Sequence, residues 1–125
     1  MSESSGLPGE IIGDLGLPKG LDAETFVEQI VAQVIKDFRL DPERVGRASI
    51  SFVELLTDEI AEGLSGERAD EVFASFYRLD LGEQLIRSTL EAHDRRAAAR
   101  ELAMQSVRRA GLKVWSRWKY KTEGF

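Results

Sequence analysis

The stretch Arg95–Lys121, RRAAARELAMQSVRRAGLKVWSRWKYK, decides how the whole chain is read. It holds no proline and is rich in alanine, leucine, arginine and other strong helix formers. Met104, Val107, Gly111, Val114, Trp115 and Trp118 fall at i, i+3, i+7, i+10, i+11 and i+14, the period of one helix face. Charge also changes sign here. From Arg95 to Phe125, nine basic residues (Arg95, Arg96, Arg100, Arg108, Arg109, Lys113, Arg117, Lys119, Lys121) stand against Glu101 and Glu123, a local balance of +7. The preceding 94 residues hold eight basic and twenty acidic groups, so they carry −12 and the chain as a whole −5. A basic helix with a Met/Trp face therefore follows an acidic body. It either meets an anionic partner or folds back on that body.

Working outward, 125 residues suit one ordinary domain, and 42% apolar with 31% charged residues is a globular composition. No run approaches the roughly 18–20 apolar residues that cross a bilayer. The amino terminus MSESSGLPGE has neither the basic nor the apolar segment of a secretory signal, so a cytoplasmic protein is expected. The chain has no cysteine, which excludes disulfides, thiolate ligands and a cysteine nucleophile.

Residues 1–21 carry Gly6, Gly9, Gly13, Gly16 and Gly20 with Pro8 and Pro18, a density that breaks any long helix, and read as a flexible arm. The glycine spacing fits neither GxGxxG nor GxxxxGK[ST]. Asp22 is placed as an N-cap. Behind it, Phe26, Val27, Ile30, Val31, Val34, Ile35 and Phe38 make one apolar face, with Glu24, Glu28, Gln29 and Lys36 mostly opposite. Burying seven such side chains contributes on the order of 10–20 kcal/mol before entropy, at ~1.5–3 each. Asp41-Pro42 ends this helix, because a residue before proline avoids the α region, and a short helical turn is expected over Pro42–Val45.

A second amphipathic segment, from about Ser49 to Leu64, places Ile50, Phe52, Val53, Leu56, Ile60 and Leu64 on one side, with Ser49 or Ser51 as N-cap. Val72, Phe73, Phe76, Tyr77 and Leu79 suggest a third helix ending near Asp80 and Gly82. From Glu83 the sequence is helical in propensity to its end, with Gly111 as the expected interruption. The resulting expectation is all-α: a small bundle of four to five amphipathic helices in one domain over residues 22–120, including a basic helix over 95–121. The alternative is α+β, with short strands near 48–53 and 72–79, where alternation and β-branched or aromatic residues compete with the helical period.

Two resemblances bear on function. Residues 26–45, FVEQIVAQVIKDFRLDPERV, followed by SFVEL, resemble the first helix and loop of acyl carrier proteins. That family presents Asp-Ser-Leu at a helix start, whereas this chain has Leu55-Leu56-Thr57-Asp58, so no carrier function is implied. Residues 49–64 and 75–90, SISFVELLTDEIAEGL and SFYRLDLGEQLIRSTL, resemble half of a STAS-like regulatory domain, with spacing too long for its pattern. This second likeness sustains the α+β alternative.

Chemistry is sparse. His93, the single histidine, lies two residues from Glu91, the wrong offset for the Glu-x-x-His of helical di-iron sites, and no second motif accompanies it. No serine sits in a GxSxG elbow. No metal, cofactor or catalytic residue is assigned, and a non-enzymatic protein is expected.

The leading expectation is a protein-interaction or assembly subunit, a homo-oligomer or part of a complex, that uses the basic carboxy-terminal helix. The alternative is a small nucleic-acid-binding accessory protein, with arginines on phosphates and tryptophans stacked on bases. For either, the contact residues are Arg100, Arg108, Arg109, Lys113, Trp115, Arg117, Trp118 and Lys119. Membrane binding is disfavoured, since the apolar face is interrupted by alanine and glycine.

Overall fold

The computed structural model describes Leu17 and residues 20–122, apart from the side chains of Lys121 and Thr122. Most of the expected glycine-rich arm lies outside the described residues. Within them the chain forms six helices and no strand. These are α1 (Ala23–Phe38), α2 (Pro42–Arg47), α3 (Phe52–Leu64), α4 (Ala69–Arg78), α5 (Glu83–Ala92) and α6 (Arg95–Thr122). The all-α expectation holds, with the turn at Pro42 and the separation of α5 from α6 bringing the number to six. The α+β alternative fails at both places. Residues 48–51 form an irregular linker, and Val72–Leu79 lies on a helix and its cap. Alternation over so few residues yields to the longer helical period once Val72 and Phe76 can share a buried face.

Each helix start has a local cause. The Asp22 carboxylate accepts from the Thr25 backbone N–H at 2.7 Å, and this bond holds its pKa below the ordinary value. Asp41 caps α2 ahead of Pro42 at the first turn. Ser51, rather than Ser49, caps α3 by accepting from Glu54 N–H at 3.1 Å. Leu21, just ahead of the Asp22 cap, is buried in the core.

The break expected at Gly111 is absent: Gly111 is a buried position within the continuous α6. The chain bends instead at His93-Asp94. His93 adopts extended backbone (φ −133°, ψ 159°), and the Asp94 side chain accepts from Ala97 N–H at 2.8 Å, restarting the helix as an N-cap. Because a carbonyl can only accept, the His93 Nδ1 donates to Thr89 O at 3.1 Å and closes the last turn of α5. One glycine tolerated inside a helix costs about 1 kcal/mol. That is little beside the stretch of α6 that it lets the core bury.

The long helix α6, about 42 Å at 1.5 Å per residue, is the element on which the others assemble. It packs along α3 and α1 and against α5, while α4 rests on α3 and α1. Paired contacts of Gln33 with Arg117 and Asp37 with Lys113 show that α1 runs antiparallel to the carboxy-terminal half of α6. Asp58 on α3 reaches Arg96 at the opposite end. The core joins Phe26, Ile30 and Val34 of α1, Leu56 and Ile60 of α3, Phe76 of α4 and Ile86 of α5 to a narrow stripe on α6. That stripe comprises Ala99, Leu102, Ala103, Val107, Ala110 and Val114, and its three alanines let neighbouring backbones approach closely.

Candidate functional site

The predicted contact residues of α6 divide into two groups with different neighbours. Arg109, Lys113 and Arg117 turn toward the body of the protein. The Arg109 Nε donates to Leu79 O at 3.1 Å, and its Nη2 lies 3.6 Å from Asp80. The Lys113 Nζ donates to Asp37 Oδ2 at 3.2 Å and to Arg78 O at 2.9 Å. The Arg117 Nη1 donates to Gln33 Oε1 at 2.7 Å. Arg96, at the start of the same helix, pairs with Asp58 at 2.6 Å.

The contacts of Arg109, Lys113 and Arg117 form one polar seam centred on Asp37, whose side chain is only 7% exposed. Gln33 Nε2 donates to the same Asp37 oxygen at 2.9 Å, Arg78 Nε donates to the Asp37 backbone carbonyl at 2.8 Å, and Arg78 Nη2 donates to Ser75 Oγ at 3.2 Å. A buried carboxylate is costly unless paired and hydrogen-bonded, and here a lysine and an amide meet it. Sequence reasoning missed Gln33, Asp37 and Arg78. The signal was present: Gln33 and Asp37 lie at i+3 and i+7 from Ile30, on the face that the apolar pattern assigns to the core.

The second group lies outside this seam. Arg100, Arg108 and Lys119 are exposed, and Trp115 and Trp118 are half-buried against the margin of the core. The Lys119 Nζ sits 5.1 Å from the centre of the Trp115 ring, within range of a cation–π contact. The expected Met/Trp stripe is thus two structures side by side. Val107, Gly111 and Val114 are buried, whereas Met104, Trp115 and Trp118 form a flanking ridge with the half-buried Leu112. On a helix, positions 104, 108, 112, 115 and 119 lie along one side, so the ridge runs Met104, Arg108, Leu112, Trp115, Lys119, with Trp118 between it and the core.

Among the described residues, no group of three or more His, Asp or Glu side chains is placed to hold a metal ion. No helix among them is long and apolar enough to cross a membrane. Comparison with known proteins gives no matching family model, no similar curated protein and no similar solved structure.

Proposed function

We propose that this protein is a non-enzymatic interaction or assembly subunit, and that the ridge Met104–Arg108–Leu112–Trp115–Lys119 of α6 is its contact surface. The observation that carries this reading is the half-burial of both tryptophans beside exposed cations on the helix that organises the fold. Tryptophan and arginine are the residue types that concentrate binding energy at protein interfaces. A ridge set on a rigid core element also loses little conformational freedom on docking. The complementary surface is an amphipathic helix with acidic flanks, on a second copy or on another protein. The acidic body of this chain supplies such chemistry.

Nucleic-acid binding is the competing outcome, and the internal use of Arg96, Arg109, Lys113 and Arg117 leaves fewer cations to contact phosphates. Mass in solution by light scattering, with affinity capture of partners, tests the proposal. Trp115→Ala and Trp118→Ala are expected to abolish association, while each lowers stability by only about 1–2 kcal/mol for a half-buried ring. A monomer at every concentration that captures no partner would count against the assembly reading. A nucleic-acid affinity that falls steeply with salt, and drops in Arg100→Gln with Arg108→Gln, would replace it.

A further inference from the structure

A second surface, away from the α6 ridge, collects arginines from four separate places in the chain. Arg39 follows α1, Arg44 lies on α2, Arg68 precedes α4, and Arg78 ends α4. All four line one cleft of about 280 Å³, together with Phe38, Asp41, Glu59, Glu71 and Ser75. In a chain of net charge −5, four cations against three carboxylates make this cleft locally positive.

Two of the three carboxylates have partners of their own. Asp41 is the N-cap of α2 and accepts from Glu43 N–H. The Glu59 side chain, 11% exposed, serves two guanidiniums at once: it pairs with Arg44 and lies 3.9 Å from Arg68. Two cations sharing one acid leave a positive charge over. Arg78 is held in place by its bonds to Asp37 O and Ser75 Oγ, which use two of its five N–H donors. Arg39 has neither an ion pair nor a side-chain hydrogen bond within the described residues. Its backbone is left-handed (φ 56°), a conformation that glycine takes without cost and arginine does not. Its guanidinium lines the cleft beside three others, of which Arg78 is held by hydrogen bonds and Arg44 and Arg68 are tied to Glu59. Planar guanidinium forks match the geometry of a phosphate group.

We propose that this cleft binds a small phosphate-bearing anion, with Arg39 and Arg68 as the principal charged contacts and Arg78 as the fixed one. At about 280 Å³ the cleft suits a phosphate or pyrophosphate group with a small substituent.

The test is titration of the full chain with inorganic phosphate and with pyrophosphate, read by NMR chemical shifts and thermal midpoint against sodium chloride at matched ionic strength. The expected result is a saturable response confined to residues of this cleft. Arg39→Gln and Arg68→Gln should each weaken binding roughly tenfold or more, as for loss of a charge-assisted hydrogen bond. Arg87→Gln, on α5, should leave binding unchanged. Succinate, a dicarboxylate of similar charge, should bind more weakly than phosphate. Circular dichroism confirms that each variant is folded. A response equal to that of chloride, shifts spread over all basic residues, or unchanged binding in Arg39→Gln would overturn the proposal.

Discussion

Arg39 and Asp80 are the described non-glycine residues with positive φ, at 56° and 62°. Each terminates a helix in the same way. After α1, Leu40 N–H donates to Ile35 O and Arg39 N–H to Lys36 O; after α4, Leu81 N–H donates to Phe76 O and Asp80 N–H to Tyr77 O. This is the Schellman pattern, which usually places glycine at the left-handed position. Relief of the Cβ conflict is worth about 1–2 kcal/mol, and the larger unfolded freedom of glycine offsets roughly 0.5–1 of it. Arg39→Gly is therefore expected to raise stability by about 0.5–1 kcal/mol in urea denaturation, while removing a guanidinium from the anion cleft. Asp80→Gly should gain less, because aspartate tolerates this conformation better and faces Arg109 at 3.6 Å. Ser106 poses a different problem. It is fully buried on α6, and its hydroxyl has no hydrogen-bond partner within the described residues. Ser106→Ala is expected to raise the thermal midpoint, with a gain of about 1 kcal/mol, by removing an unsatisfied polar group and improving helix propensity.

At the scale of elements, the joint between α3 and α4 depends on Gly63. A Cβ there would overlap Cγ2 of Val72, a buried β-branched side chain with little rotamer freedom. Propensity alone favours alanine inside a helix by about 1 kcal/mol, but overpacking costs typically 1–3 kcal/mol, so Gly63→Ala is expected to destabilise. Combining it with Val72→Ala should recover part of the loss, and a double-mutant cycle measures the coupling. If the single variant proved more stable than the parent, the close approach would be refuted. The contact that requires Gly63 comes from nine residues further along the chain, so it is not legible from its sequence neighbours. The α5–α6 break follows similar logic. Asp94 is of a residue type suited to an N-cap, and Gly111 of one that interrupts helices. Which of the two ends a helix depends on what lies against α6, and at Gly111 that is buried core.

For the whole molecule, the basic helix and the acidic body are held partly by the Asp37 seam. Lys113→Met removes a cation from a buried carboxylate and a donor from Arg78 O, and is expected to cost about 1–3 kcal/mol. That figure is discounted because the lysine side chain is 33% exposed. Asp37→Asn should cost less, since the amide oxygen still accepts from Lys113 and Gln33. Urea midpoints at low and high salt check both, and a loss at Lys113 independent of salt would indicate hydrogen bonding rather than charge as the main contribution.

The sequence determined the helical class, the capping residue Asp22 and the opposition of acidic body to basic helix, and left the cap of α3 between Ser49 and Ser51. These follow from local hydrogen bonding, from a 3.6-residue period and from charge, all of which are written in neighbouring positions. It did not determine which arginines and lysines of Arg95–Lys121 face inward. Arg109, Lys113 and Arg117 recur every four residues and so share a side of α6. Only the antiparallel placement of α1, set by apolar burial across residues far apart in the chain, brings Asp37 and Gln33 opposite Lys113 and Arg117, while the end of α4 meets Arg109. The same docking divides the Met/Trp stripe into a buried row and a half-exposed ridge, because two helices in contact cover only part of each other's circumference.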